Sequence, residues 1–300
     1  MAAVFVVSQL PVIGAGGLLH PARARVQRAA PATCEEAVFA GAGVTLQGWR
    51  CHATGSWRGT IVYLHGIADN RTSSEGVVQR FGHRGFDVVA YDSRGHGNSE
   101  GDVCTYGFFE KRDLHRVLDT IRPGPIILMG TSLGAAVALQ EAADDTRVTS
   151  VIGAEAFSDL RTVATERAPF FFTTGTIRRA FQLAGEQGHF DVDAVSPELA
   201  AARITAPVLL IHGATDVETR PEHSRRVFAA LKGPKRLIVV PNAGHNGSLR
   251  SEVWQQIERW IDEVTGVPAR AARTRPPRVS NINRVSFYAW RQRLSFSRQS

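Results

Sequence analysis

The sequence predicts an α/β fold in which a mostly parallel central sheet is covered by helices on both faces. Short β-branched runs ended by Gly, Asp or Pro alternate with stretches of helical spacing along most of the 300 residues. The length and a hydrophobic content of 43% allow one large core. In such folds ligands bind at the carboxyl ends of the strands, so the functional residues are expected there.

The predicted strands are rich in β-branched residues, which is typical of strands buried on both faces. They cover residues 60–64, 86–91, 125–129, 148–154, 207–211 and 236–240. Helical spacing of apolar residues predicts helices over 106–121, 133–143, 221–231 and 249–264. Gly-bounded alternation over residues 37–52 predicts an antiparallel hairpin at the sheet edge. The main domain therefore spans residues 35–266.

One interval is longer than an ordinary connection, because about 50 residues separate the strand near Ile152 from the strand near Leu209. Two interpretations remain open. The interval is either a helical connection whose aromatic residues are core, or a small helical cap over residues 156–205 with phenylalanines lining an apolar pocket. These aromatic residues are Phe170, Phe171, Phe172, Phe181 and Phe190.

The two ends of the chain differ from its body. Residues 1–34 are predicted to be an N-terminal extension. Because its first 19 residues carry no charge, a weak membrane anchor is the alternative interpretation of this segment. Gln9 and Pro11 interrupt this apolar run, and arginines follow it rather than precede it. Residues 267–300 contain eight arginines and no acid, which predicts a disordered tail, with RNA or membrane binding as the alternative.

The formal charge of +7 resides in this tail, since residues 1–266 carry 27 basic and 28 acidic side chains. We therefore expect no nucleic-acid partner for the main domain. Cys34, Cys51 and Cys104 are too few and too scattered for a disulfide framework, and they lack the close pairs of a zinc site. We expect a reducing compartment, the cytoplasm, with membrane association through the N-terminal segment as the alternative.

The pattern G-x-S-x-G occurs twice, and its context selects one copy. A nucleophile elbow needs a strand, a sharp turn and then a helix, with small residues around the serine. Ser132 follows the predicted strand 125–129 and precedes a helix that begins Leu133-Gly134-Ala135-Ala136. Ser99 lies in a polar, Gly-rich loop that no apolar helix follows. The sequence therefore predicts Ser132 as a nucleophile and Ser99 as a loop residue.

A serine nucleophile requires a histidine that takes its proton and a carboxylate that orients the imidazole. The expected chain order is Ser, acid, His. Asp216 and His245 fit this order, and each follows one of the last two predicted strands. The alternatives for the acid are Glu155 and Asp159, and those for the base are His65, His96, His212 and His223.

A tetrahedral intermediate also requires backbone N–H donors for its oxyanion. The amide of Leu133 directly follows the serine and is the first predicted donor. The loop after the first central strand should supply the second, which we assign to Ile67 in His65-Gly66-Ile67.

Together these motifs resemble the α/β-hydrolase superfamily, in particular bacterial serine hydrolases near the monoacylglycerol lipase, palmitoyl-thioesterase-like and serine aminopeptidase groups. The resemblance covers residues 35–265 and rests on residues 64–66, 91–99, 130–134, 212–216 and 244–245. It implies the α/β-hydrolase fold, to which the long interval between residues 156 and 205 would add a small helical cap insertion. It also implies a triad and an oxyanion hole formed by Ser132, Asp216, His245, Ile67 and Leu133. The Arg-rich tail has no counterpart in the family pattern.

The resemblance implies a serine hydrolase of the carboxylesterase, lipase or thioesterase type. It would cleave an ester or thioester through an acyl-enzyme, and no cofactor or metal is expected. The aromatic interval and the apolar residues favour a small, hydrophobic acyl group. The alternatives are a peptidase or amidase of the serine aminopeptidase type, and a non-catalytic binding protein of the same fold with a basic RNA- or membrane-binding tail. Halide or epoxide chemistry would require a carboxylate in place of Ser132.

Overall fold

An eight-stranded sheet forms the centre of residues 2–266, the part of the chain that the computed structural model describes. Its strands lie in the order β1-β2-β4-β3-β5-β6-β7-β8. They are β1 Cys34–Ala40, β2 Thr45–Cys51, β3 Gly59–Leu64, β4 Phe86–Tyr91, β5 Ile126–Thr131, β6 Val148–Ala154, β7 Val208–Gly213 and β8 Lys235–Val240. The β1–β2 and β2–β4 pairs are antiparallel, and the other pairs are parallel. The predicted fold class is confirmed.

The helices cover both faces of the sheet. They are α1 Ala2–Leu19, α2 Glu75–Phe81, α3 Glu110–Leu118, α4 Leu133–Ala142, α5 Leu160–Glu166, α6 Thr174–Gly188, α7 Pro197–Ala201, α8 Pro221–Ala230 and α9 Ser251–Val264. Buried residues of α3, α4 and α8 pack on one face, and those of α2 and α9 pack on the other. Successive residues of β5 alternate between these two cores, as the two-residue period of a strand requires.

The long interval between β6 and β7 is a helical insertion, because it contains α5, α6 and α7. Phe181 and Phe190 are buried in a third apolar cluster with Phe157, and Ala136 of α4 belongs to the same cluster. Phe170, in contrast, is 99% exposed. The interval is therefore helical, with Phe181 and Phe190 in the core, and its role as a cap that lines a substrate pocket stays a prediction.

The N-terminal helix α1 packs against α6 of this insertion. Ala15 and Leu19 of α1 are fully buried in the third apolar cluster. The carbonyl oxygens of Leu18 and Leu19 accept hydrogen bonds from the Tyr106 hydroxyl and the Cys104 amide, at 3.0 and 2.9 Å. Within residues 2–266, none of the helices has the length and apolar character needed to span a bilayer.

Cys34 and Cys51 form a disulfide, although the number and spacing of the cysteines argued against a disulfide framework. The two residues are directly opposed in the antiparallel register of β1 and β2. Counting cysteines and their spacing missed this pair because strand register, rather than sequence proximity, brings them together. The expectation of a reducing compartment rested on the same count and loses its basis. The Arg-rich tail, residues 267–300, lies outside the described residues.

Candidate active site

Ser132 occupies the sharp turn between β5 and α4. Its φ of 49° and ψ of −111° lie in a backbone region that residues other than glycine rarely adopt. The flanking glycines allow the close packing that this turn needs. A Cβ on Gly134 would lie 2.1 Å from the carbonyl oxygen of Leu64, and one on Gly130 would lie 2.3 Å from the carbonyl carbon of Gly134. The turn therefore holds the serine at the carboxyl edge of the sheet.

The structure brings Ser132, His245 and Asp216 into one hydrogen-bonded chain. The distance from His245 Nε2 to Ser132 Oγ is 3.2 Å, and that from His245 Nδ1 to Asp216 Oδ2 is 2.7 Å. A carboxylate only accepts hydrogen bonds, so Nδ1 donates to Asp216 and the lone pair of Nε2 faces the serine hydroxyl. This tautomer can take a proton from Ser132.

Asp216 is buried and held in place by the backbone. Its Oδ1 accepts hydrogen bonds from the amides of Glu218 and Thr219, at 2.9 Å each. Burial alone raises the pKa of Asp216, but hydrogen bonds from His212, His245 and the Thr219 amide outweigh it and hold the pKa well below its usual range. Asp216 therefore remains an ionised acceptor for His245 at neutral pH.

The alternative acids have other partners. Asp159 accepts a hydrogen bond from the Thr162 amide at 2.7 Å and so caps α5. Glu155 is buried at the end of β6, but its closest oxygen lies 3.9 Å from His245 Nδ1. The carboxylate in hydrogen-bond contact with the imidazole is Asp216.

The alternative histidines make structural hydrogen bonds. His65 accepts a hydrogen bond from the Ser93 amide at 2.9 Å, and His212 lies 2.7 Å from the carbonyl oxygen of Thr219. His223 accepts one from the Ser158 amide at 3.1 Å. Burial, and then the neighbouring His65, lower the pKa of His96 to about 3, so this side chain is neutral at pH 7.

Ser99, in the second G-x-S-x-G pattern, is also structural. Its hydroxyl donates to the carbonyl oxygen of Asp92 at 2.5 Å and accepts a hydrogen bond from the Gln47 amide at 2.8 Å. These contacts tie the loop to β2.

The two predicted oxyanion donors are the amide directly after the serine and one in a loop whose Gly66 approaches the serine. Leu133 is the first residue of α4, so its amide has no acceptor within the helix. Ile67 follows Gly66, where a Cβ would lie 3.7 Å from the Cβ of Ser132. His65 orients this loop, because its Nδ1 lies 2.7 Å from the carbonyl oxygen of Gly66. The role of both amides remains a prediction.

In the described part of the chain, two sets of side chains bring possible metal-ligand atoms within 4.8 Å of one another. The first set is Glu155, Asp216 and His245, and the second is His115, Glu141 and Asp145. Each member already has a partner within the protein. Asp216 and His245 bind each other, and Glu155 binds two backbone amides. The first set therefore fits a hydrogen-bonded triad with a second carboxylate beside it.

Comparison with known proteins places this chain in a family. The model of the alpha/beta hydrolase family matches residues 61–263. The protein YfhR of Escherichia coli (strain K12) is 29% identical over 214 residues, which cover 68% of this chain and 70% of YfhR. YqkD of Bacillus subtilis (strain 168) is 29% identical over 209 residues, which cover 62% of this chain and 64% of YqkD. Both relatives are uncharacterized proteins.

Solved structures share the fold at low sequence identity. An esterase of Pyrococcus furiosus has a TM-score of 0.64 and 19% identity, and the match covers 82% of this chain and 97% of the esterase. An acylaminoacyl peptidase of Pyrococcus horikoshii has a TM-score of 0.62 and 16% identity, with 78% and 42% covered. At these identities the likeness concerns the fold alone. Because the family model matches more than half of its length, this chain belongs to the alpha/beta hydrolase family.

Proposed function

We propose that this protein is a serine hydrolase that cleaves carboxylic ester or thioester bonds of a small, hydrophobic acyl substrate. The observation that carries the proposal is the hydrogen-bonded chain from Ser132 through His245 to Asp216, with the serine at a strained strand-to-helix turn. Nucleophile, base and orienting acid follow one another in the order that this chemistry requires.

In the acylation step, Ser132 Oγ attacks the carbonyl carbon of the substrate while its proton moves to His245 Nε2. The new C–O bond places a negative charge on the former carbonyl oxygen, and the amides of Leu133 and Ile67 are the proposed donors to this oxyanion. In measured cases one such donor lowers the barrier by about 2.7–4 kcal/mol. When the intermediate collapses, the bond to the leaving alcohol or thiol breaks, and the leaving group takes the proton from Nε2.

In the deacylation step, water attacks the carbonyl carbon of the acyl-enzyme and gives a proton to His245 Nε2. The second intermediate collapses by breaking the bond to Ser132 Oγ, which recovers that proton, and the carboxylic acid leaves. Asp216 stays ionised throughout and stabilises the imidazolium that forms twice in each cycle.

The surroundings of the serine support an apolar acyl group. The amide of Ala136 donates to the carbonyl oxygen of Ser132 at 3.1 Å, and Ala136 belongs to the apolar cluster of the cap. Phe157 and Leu160 belong to the same cluster. We infer a hydrophobic acyl group from this apolar cluster beside α4, because a charged peptide would lose hydration against it without a compensating partner.

A peptidase or amidase is the second candidate, because the solved structures of similar fold include an esterase and an acylaminoacyl peptidase. A rate survey over p-nitrophenyl esters of increasing acyl length, matched thioesters and matched p-nitroanilides separates the two. The proposal predicts the highest kcat/KM for an ester or thioester. Faster cleavage of the anilides would favour the peptidase.

Ser132→Ala, measured on the best substrate of that survey, tests the nucleophile. Its kcat should fall on the order of 10⁶-fold, as for loss of the nucleophile in a serine protease. Ser99→Ala is the matched control from the second G-x-S-x-G pattern and should retain its rate. An Ser132→Ala variant with wild-type turnover would reject the proposal and leave a binding protein with the same fold.

Partners and location remain proposals. A nearly neutral domain is not expected to bind nucleic acid, whereas RNA or membrane binding by residues 267–300, and membrane association through residues 1–19, remain alternatives. A chain ending at Gly266 should keep full esterase activity. Salt-dependent binding of RNA or anionic vesicles that is lost with residues 267–300 would assign those ligands to the tail.

A further inference from the structure

Glu155 is a buried carboxylate beside the base and has no part in the steps above. It directly follows β6 and is 1% exposed. Its φ of 57° lies in the left-handed region, which a glutamate rarely adopts. Its amide donates to the carbonyl oxygen of Ile211 in β7 at 2.8 Å, so this backbone conformation is fixed from the neighbouring strand. Such a strained, buried acid needs compensating contacts.

Those contacts come from the loop that carries His245. Glu155 Oε2 accepts a hydrogen bond from the amide of Asn246 at 2.5 Å, and Oε1 accepts one from the amide of Ser248 at 3.2 Å. Asn246 has a φ of 60°, so the chain turns sharply straight after the histidine. One carboxylate thus fastens both amides to the end of β6. The position of His245 depends on this attachment as well as on Asp216.

The same carboxylate adds charge beside the imidazole. Glu155 Oε2 lies 3.9 Å from His245 Nδ1, whereas Asp216 Oδ2 lies 2.7 Å from it. His212 Nε2 lies 3.4 Å from Asp216 Oδ2. Burial, and to a smaller extent the charges of Asp69 and Glu155, raise the pKa of Tyr63. Among the residues that the structure describes, His245 is the ion-pair partner that lies within 4 Å of Glu155. The imidazolium therefore faces two carboxylates.

We propose that Glu155 is a positioning residue that fastens the His245 loop through two amides and stabilises the imidazolium through its charge. The role rests on the proposed function, because it acts through the base of that reaction. When Ser132 transfers its proton, the positive charge forms next to a carboxylate that is already in place, so little reorganisation is needed. Asp216 determines the tautomer of His245, whereas Glu155 holds the loop that carries His245 and attracts the positive charge of the imidazolium.

The test is the pH dependence of fluorophosphonate labelling, measured as a second-order rate constant for wild type and Glu155→Gln. Glutamine keeps the size of the side chain but removes the charge, and it presents an N–H group to one of the two amides. We expect the plateau rate to fall at least 10-fold. Protonation of His245 becomes less favourable, so the acid limb should move about 1 pH unit lower, as for loss of an opposite charge within 4–6 Å.

Glu141→Gln is the matched control. Glu141 is also a buried carboxylate, near the end of α4, but its partner is His115. Its plateau and acid limb should match those of wild type. An equal shift in this control would show that loss of any buried carboxylate alters the profile, and the proposal would be overturned.

Glu155→Asp separates the charge from the hydrogen bonds. Aspartate retains the charge, but its side chain is one methylene shorter and cannot reach both amides. We expect an acid limb close to that of wild type and a slower plateau rate. This variant also decides the matter if Glu155→Gln does not fold, because wild-type labelling by Glu155→Asp would overturn the proposal.

An unmoved acid limb in a folded Glu155→Gln protein would reduce Glu155 to a purely structural residue and overturn the proposal. Failure of the proposed function has a different signature. In that case wild type itself would show no labelling that depends on Ser132.

Discussion

Asp216→Asn isolates the role of the acid, because asparagine fits the same space and keeps part of the hydrogen bonding. Its Oδ1 can still accept hydrogen bonds from the amides of Glu218 and Thr219, which now bind Asp216 at 2.9 Å each. The NH₂ group then faces His245 Nδ1, where Asp216 Oδ2 accepts a hydrogen bond at 2.7 Å. Two of these three bonds survive, so the loop should keep its conformation.

The lost bond has a specific chemical consequence. The NH₂ group forces His245 into the tautomer with its proton on Nε2, and that nitrogen can no longer accept the proton of Ser132. The corresponding Asp→Asn change in a Ser-His-Asp protease lowers kcat about 10⁴-fold. At about 1.36 kcal/mol per factor of ten, this is a rise of about 5.4 kcal/mol in the activation barrier. Loss of one hydrogen bond to a charged group should lower the free energy of unfolding by only about 1.5–3 kcal/mol.

The assay is turnover of the best ester, together with urea unfolding of the same preparation. We expect a folded protein with about 10⁴-fold lower kcat. A folded Asp216→Asn protein within tenfold of the wild-type rate would refute the reasoning, and Glu155→Gln and Asp159→Asn would then identify the acid.

The remaining predictions concern stability. Cys51→Ser should lower the free energy of unfolding by about 3 kcal/mol in the loop-entropy model, since the disulfide spans 17 residues. Equal urea midpoints for wild type and Cys51→Ser would contradict this prediction. Gly134→Ala should prevent correct folding of the elbow, because an added Cβ would collide with the backbone of Leu64. Gly76→Ala in α2, where an added Cβ has open space, should instead raise the free energy of unfolding by about 0.5–1 kcal/mol. Similar thermal unfolding of the two variants would contradict the packing argument. Because the pKa of Asp216 is lowered in the folded state, its ionised form stabilises the protein above about pH 4 and this stabilisation is lost as the pH falls. Urea unfolding between pH 3 and 6 should therefore show a weaker pH dependence in Asp216→Asn, and identical slopes would reject the pairing.

Local sequence signals predicted the central sheet well. The bounds of β4 and β6 match the predicted strands, because apolar β-branched runs end there at polar or small residues. Helix α2 was missed, since seven residues are too few to display a helical period. The disulfide was missed because it depends on the register of two strands.

The candidate site shows the same difference between features with a local sequence pattern and features that depend on long-range contacts. Ser132 could be predicted because an elbow needs small residues on both sides, and this requirement leaves a visible pattern. Asp216 and His245 could be placed after strands, at the edge where the structure brings them together. The contacts of Glu155 could not be predicted, since its donors are backbone amides 91 and 93 residues away and any residue except proline supplies such a group.

The measurement that tests the central claim most directly is the location of a fluorophosphonate adduct by mass spectrometry of the labelled, digested protein. We predict one adduct on Ser132 in wild type and in Ser99→Ala, with none in Ser132→Ala or in heat-denatured wild type. An adduct on another serine, or equal labelling of wild type and Ser132→Ala, would contradict the assignment of Ser132 as the nucleophile.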